Sequence, residues 1–169
     1  VIVAGMGQVG LRLAEELRAL GVAVIGIEVK PDARTLQLAR AGSIPVIVGD
    51  AASRSTLKAA RVDEAEALIA AGSAEWDNIA VAVSSLAIAP NTRLVIRAGT
   101  GDAIAETQSL FAIGAVVDVN GLTASFVTSA MTGLEPYSVV SSGEADLAVD
   151  SSGRVAQILS ADTDRCECS

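Results

Sequence analysis

Apolar residues recur along this chain in two alternating rhythms. Six short runs read as strands: Val1 to Ala4, Val22 to Ile27, Ile44 to Val48, Ala67 to Ala71, Leu94 to Ala98 and Ala115 to Val119. The runs lack the period-two alternation of a half-wetted sheet, so they predict strands buried on both faces. Between them the spacing lengthens to that of a helix. Val9, Leu13, Leu17 and Leu20 stripe the first helix, Gln8 to Leu20, which Gly21 ends. Pro31-Asp32 opens a second, carrying Leu36, Leu38 and Ala39 and closing at Gly42. Ser53 or Ser55 caps a short third helix through Ala60. Asp77 or Asn78 starts a fourth toward Ala89, where Pro90 blocks continuation. Asp102 caps another through Phe111, and Gly114 terminates it. The last, Leu122 to Leu134, has apolar residues at Leu122, Phe126, Val127, Ala130, Met131 and Leu134.

Strands alternating with helices imply parallel strands joined by right-handed crossovers. The expected fold is α/β, a Rossmann-like doubly wound sheet of six parallel strands with a C-terminal crossover helix and a short polar tail. Residues 1–134 make up this domain and residues 135–169 the tail. Composition shifts after Pro136 to Ser, Asp and Gly. Asp146 to Val149 and Arg154 to Leu159 flank Asp150-Ser151-Ser152-Gly153, as a β-hairpin would. A mobile tail, or the start of a truncated further domain, suits that composition equally well.

Composition narrows the function classes. The chain has 169 residues, enough for one domain with a substantial core. Half of them (51%) are apolar, which argues against disorder, and only 2% are aromatic, so Ala, Val, Leu and Ile must build the core. The net charge of −8, with no basic patch, argues against nucleic acid and anionic membrane partners. No apolar stretch reaches the roughly 18 residues of a membrane span, so no direct membrane insertion is expected. The first residues already read as a strand rather than a secretory leader. The chain opens on Val1 without an initiator Met, and a longer parent protein is expected. The only cysteines, Cys166 and Cys168, sit together near the end, which suits a cytosolic protein better than a disulfide framework. With no His anywhere, no metal site is expected.

The chemistry begins at Gly5-Met6-Gly7-Gln8-Val9-Gly10. This loop follows a strand and opens a helix, as the dinucleotide fingerprint requires. Gly5 makes the tight turn, Gly7 lets backbone approach a pyrophosphate, and Gly10 lets the helix lie close to the first strand. Free N–H groups at the helix start then face the phosphates. Glu28 ends the second strand 23 residues after Gly5 (28 − 5), near the usual spacing of about 20. A carboxylate there accepts hydrogen bonds from ribose hydroxyls and repels a 2′-phosphate, so NAD-type or plain adenine nucleotides are favoured over NADP. Lys30, two residues on, weakens that preference slightly. The alternative is a tight turn beside a solvated strand end; loop, spacing and context together favour the ligand. Asp50, in Gly49-Asp50-Ala51 after the third strand, either accepts from an exocyclic amine such as adenine's or caps the next helix. Groups for hydride-transfer chemistry are scarce. His is absent, Lys30 and Lys58 are the only lysines, and Tyr137 is the one tyrosine. No catalytic residue is assigned, and sensing is favoured over catalysis.

These residues resemble a known family. Val-Ile-Val-Ala-Gly-Met-Gly-Gln-Val-Gly, then Glu28, then Gly49-Asp50-Ala51, look like the TrkA-N family, also called KTN or RCK N-terminal domains. The likeness continues around Ser73, Glu75 and Asn78 and into Arg93-Leu94-Val95-Ile96-Arg97, covering roughly residues 1–134. The resemblance implies a cytosolic regulatory domain of a potassium channel or transporter. Such a domain binds NAD(H), ATP, ADP or AMP and pairs as a homodimer, often within a ring. Carried over by position, the loop takes the phosphates, Glu28 with Val29 and Lys30 the ribose side, Asp50 and Ala51 the adenine, while Ala71 and Gly72 lie beside the nucleotide. The helix from Leu122 to Leu134 then crosses to a partner subunit; packing on its own sheet is the alternative. Three departures stand out. Gln8 replaces the Arg that many relatives use to reach a terminal phosphate, so NAD(H) is favoured over ATP. Ala74 stands where an acid is common. Residues 135–169 are too few for the family's usual C-terminal ligand domain. Two other readings stay open: an NAD-dependent oxidoreductase fragment without its catalytic domain, and a structural ring subunit with a degenerate pocket.

Overall fold

Each apolar run of the sequence becomes a strand and, among the described residues, each striped segment becomes a helix. The computed structural model describes residues 1–98, 114–131, 136–141, 146–150 and 152–158. It separates into two compact units, Val1–Val117 and Asp118–Ser169.

In the first unit, β1 (Ile2–Ala4), α1 (Gln8–Ala19), β2 (Ile25–Glu28), α2 (Ala33–Ala41), β3 (Val46–Val48) and α3 (Arg54–Ala59) follow in order. A 3-10 turn at Val62–Glu64 leads to β4 (Ala67–Ala70), α4 (Glu75–Leu86), β5 (Arg93–Ala98) and β6 (Ala115–Asp118). The helix expected between Asp102 and Phe111 lies outside the described residues. The strands form one sheet in the order β3-β2-β1-β4-β5-β6, all parallel, as the alternation implied. The order reverses between β1 and β4, so their carboxyl ends part and leave a crevice.

Two apolar layers hold the sheet. On one face Ile2, Ala4, Ile27, Leu68, Ala70, Leu94 and Ile96 pack with Leu57, Val62, Val81 and Ala82 from the α3 and α4 side. On the other, Val3 and Ile69 pack with Leu11, Ala14 and Ala39 of α1 and α2. Ile27, Leu57 and Leu68 are fully buried, each worth about 1.5–3 kcal/mol relative to exposure.

Strand starts differ from the sequence reading for one physical reason. Val22 and Ile44, expected as the first residues of strands, instead close the preceding helices. Val22 N–H donates to Leu17 O (2.9 Å) and Ile44 N–H to Ala39 O (2.8 Å). A helix end must satisfy its last carbonyls, so it claims the backbone that an apolar run had offered to the sheet. The fourth helix starts at Glu75, ahead of the expected Asp77 or Asn78, because Ala74 O accepts Asn78 N–H (3.2 Å).

The second unit holds α5 (Val119–Met131) and an antiparallel sheet in the order β7 (Pro136–Ser141), β8 (Asp146–Asp150), β9 (Val155–Ile158). The last helix begins at Val119, three residues before the expected Leu122, because Asp118 Oδ1 accepts Gly121 N–H at 2.9 Å. Leu134 lies outside the described residues. β8 and β9 pair antiparallel where the sequence allowed either a hairpin or a mobile tail, with Leu159 outside the described residues; β7 was not expected. Gly153 takes φ +81° at its turn. Asp150 gathers the turn: its carboxylate accepts from Ser152 Oγ–H (2.5 Å), Ser152 N–H (2.8 Å) and Arg154 N–H (3.0 Å). Those bonds, the Ser152 hydroxyl first, hold its carboxyl well below the usual range. A groove of about 330 Å³ runs between α5 and β7, lined by Val119, Leu122, Thr123, Phe126 and Val139.

Among the described residues one buried side-chain polar atom has no partner. The Ser85 hydroxyl, on a fully buried side chain of α4, finds no hydrogen bond. Removing an unsatisfied hydroxyl relieves its desolvation cost. Ser85→Ala is therefore expected to stabilise the protein by about 1 kcal/mol, read as a raised midpoint in chemical unfolding; a lowered midpoint would refute it.

Candidate functional site

The first strand ends in a turn that only glycine permits. Gly5 has φ +90°, in the left-handed half of backbone space that side chains disfavour. A Cβ there would lie 2.7 Å from Gly72 N, and one at Gly10 only 1.9 Å from Gly5 O. The start of α1 therefore lies directly on the turn, and the turn lies on the end of β4. Gly5 N–H donates to Ile27 O at 2.9 Å, tying the turn to β2 as well.

Met6 fixes the loop from both ends of its own residue. Its side chain is 1% exposed and belongs to the core beneath α1. Its N–H donates to Glu28 Oε2 at 2.8 Å. The other carboxylate oxygen, Oε1, accepts from Lys30 N–H at 3.1 Å. Each oxygen holds two acceptor sites, so one on each remains for a ligand hydroxyl.

The outer side of the loop is open. Gly7 and Gln8 are exposed, and a Cβ on Gly7 would meet nothing within 4 Å. Gly7 is the N-cap of α1 without a side-chain cap, and the first turn carries no acid. The helix therefore presents first-turn N–H groups without intrahelical acceptors, together with its positive dipole end. That arrangement suits a phosphate.

The other expected residues lie along the same sheet edge. Glu28 pairs in register with Val48 of β3, and Gly49 N–H donates to Glu28 O at 3.0 Å. Val29 and Val48 are 55% and 63% exposed, an apolar surface of the kind a base covers. Asp50 is exposed, and its Oδ1 accepts Ala52 N–H at 2.8 Å. Ser53, not Asp50, is the N-cap of α3. Ala51 packs against the core. Ala71 N–H donates to Ala4 O at 2.7 Å, which sets Ala71-Gly72 beside the loop. Glu28 and Ala71-Gly72 thus touch the loop directly, whereas Asp50 and Ala51 reach it only through β2.

Two residues of this edge entered the sequence reading only as part of the helix start and the family likeness, without a role in the site. Asn78, buried on α4, donates its amide to Gly72 O (2.9 Å) and Arg97 O (2.8 Å), bolting the end of β4 to that of β5. Arg97 of β5 reaches back toward Ala71 O, with Nη1 at 3.4 Å. A polar residue in the first turn of a helix, and a cation closing an apolar strand run, were the available signals.

A family model described as the TrkA-N domain matches residues 1–118. Potassium channel protein 1 of Methanocaldococcus jannaschii is 29% identical over 97 residues. That match covers 57% of this chain and 29% of the relative, so the chain spans under a third of its length. Among solved structures, the TrkA-N domain of inner membrane protein ybaL from Escherichia coli is similar at a TM-score of 0.67 and 22% identity, covering 77% of this chain and 94% of that one. The AMP-bound Kef CTD of Shewanella denitrificans is similar at a TM-score of 0.67 and 22% identity, covering 80% and 82%. At these identities the structural likenesses show the fold.

The loop geometry separates two glycines by what each does. Gly10→Ala drives a methyl into the Gly5 carbonyl and is expected to cost at least about 2 kcal/mol. Gly7→Ala points into open space and is expected to cost no more than about 1 kcal/mol. Urea unfolding of both variants checks the pair, and equal losses would refute the assignment.

Proposed function

The chain belongs to the TrkA-N domain family, and from that premise we propose that it is a non-enzymatic nucleotide-binding regulatory module of a potassium channel or transporter, working in the cytosol. Its ligand is an adenine nucleotide without a 2′-phosphate, NAD(H) foremost, with AMP and ADP as alternatives. The observation that carries this reading is the pinned glycine loop, open at Gly7 and faced by a carboxylate with acceptor sites to spare. Phosphate sits on the loop at Gly5, Gly7, Gln8 and Val9, the ribose hydroxyls on Glu28, and the base on the Val29 edge near Asp50 and Ala51. Ala71 and Gly72 border the far side. The AMP-bound Kef CTD supports the ligand class, and the archaeal channel relative supports the partner class. Among the described residues no helix is long and apolar enough to cross a membrane. The membrane part of such a system is then a separate segment or subunit. The chain has no His and one Tyr, which favours sensing over proton-transfer chemistry.

Regulation follows from linkage. A nucleotide that binds one conformation of the module better than another shifts their populations by that difference in affinity. Isothermal titration with NADH, NADPH, AMP and ADP tests the binding. Submillimolar affinity for NADH is expected, with NADPH at least tenfold weaker because its 2′-phosphate faces Glu28. Glu28→Ala is expected to weaken NADH at least tenfold, about 1.4 kcal/mol. If none of the four binds below millimolar concentration, the reading fails.

The proposal extends to pairing of two copies through α5. Phe126, Val127 and Met131 are 42%, 51% and 83% exposed along it, an apolar surface that a partner helix would cover. Analytical ultracentrifugation is expected to show a dimer that Met131→Glu dissociates. A wild-type chain that stays monomeric at high micromolar concentration would overturn the pairing.

A further inference from the structure

The nucleotide reading gives no task to Arg97, a cation near the end of β5. Its position in the sheet is informative. Along β5 the burial alternates, with Leu94, Ile96 and Ala98 buried toward the α3 and α4 side. Val95 and Arg97 therefore face the other side, the one that α1 covers. Val95 pairs in register with Ile69, which packs in the α1 core. Continuing that register by two residues sets Arg97 beside Ala71, and its Nη1 lies 3.4 Å from Ala71 O.

Ala71-Gly72 is the same peptide that Gly5 presses from the other side. One peptide thus separates the glycine turn from a guanidinium. Arg97 is half-buried, so its charge is only partly screened by water. The described ion pairs engage Arg12, Arg61, Arg93 and Arg154 but not Arg97. Its contact with Ala71 O is too long to count as a strong charge-assisted bond. With no carboxylate partner among the described residues, this half-buried guanidinium keeps its donors available to an anion. Asn78 holds the backbone of both Arg97 and Gly72, which fixes the strand ends from which the guanidinium extends.

The direction of the ligand assigns that anion. With the base at the β2–β3 edge and the first phosphate on the glycine loop, whatever follows the first phosphate runs over the end of β4 toward β5. Gln8 carries no charge to meet it. We propose that Arg97 is the residue that sets phosphate number: its guanidinium takes the phosphate beyond the first, so the site prefers adenosine diphosphate groups, free or within a dinucleotide, over the monophosphate. This inference rests on the nucleotide reading above and names the determinant of specificity within it.

Calorimetric titration of adenosine, AMP and ADP into wild type, Arg97→Gln and Arg97→Lys tests it, with thermal unfolding as the check on folding. Wild type is expected to bind ADP at least tenfold more tightly than AMP. Arg97→Gln is expected to erase that preference, bringing ADP to the AMP level while AMP and adenosine change by no more than about twofold. Arg97→Lys, which keeps the charge without the planar fork, is expected to retain part of the preference. Equal losses for all three ligands in Arg97→Gln overturn the proposal, because they mark a structural role. An undiminished ADP preference in Arg97→Gln overturns it as well, while leaving the nucleotide reading intact. A wild-type chain that binds none of the three removes the nucleotide reading and this inference together.

Discussion

One residue of the glycine loop is held at two levels, and the site depends on that hold. Met6 sends its side chain into the core beneath α1 and its N–H to the carboxylate of Glu28. A loop rich in glycine loses more backbone entropy on ordering than most. A buried thioether and a charge-assisted hydrogen bond offset that loss where a phosphate cradle most needs a fixed shape. Gly5 and Gly10 complete the hold, because their missing side chains let strand end, helix start and the β4 end touch backbone to backbone.

The same bond gives Glu28 a structural task. It ties β2 to the loop, and through its main chain it also receives Gly49 N–H from the end of β3. The carboxyl ends of three neighbouring strands are thereby linked before any ligand arrives. Asn78 performs the matching task on the other side of the order reversal, between β4 and β5. The crevice is framed by two polar side chains that spend their hydrogen bonds on backbone, and such preorganisation reduces the entropic cost of binding.

The second unit follows different rules. Its sheet is antiparallel and closed by a polar turn, where the Asp150 carboxylate adds acceptors for Ser152 N–H and Arg154 N–H to the main-chain bonds. Phe126, Val127 and Met131 of α5 stay exposed. In the first unit the central strands β1 and β4 are covered on both faces, and exposed apolar surface remains at the edge, at Val29 and Val48.

Much of this was legible in the sequence. The six apolar runs and their helical intervals determined the doubly wound sheet, because burial on both faces removes period-two alternation and leaves a distinctive mark. The glycine spacing and Glu28 picked out the turn and the carboxylate that holds it, because only glycine fits that turn and Glu28 ends the neighbouring strand. Strand starts were not legible, since Val22 and Ile44 are apolar whether they pair in a sheet or close a helix, and hydrogen-bond demand at the helix end decides between the two. Nor were β7 and the roles of Asn78 and Arg97. Asn78 and Arg97 are 19 residues apart (97 − 78) and meet only because β4 and β5 lie side by side beneath α4. Local pattern fixes which residues fold as strand or helix; which polar side chains share one crevice depends on strand order, which the tertiary structure alone decides.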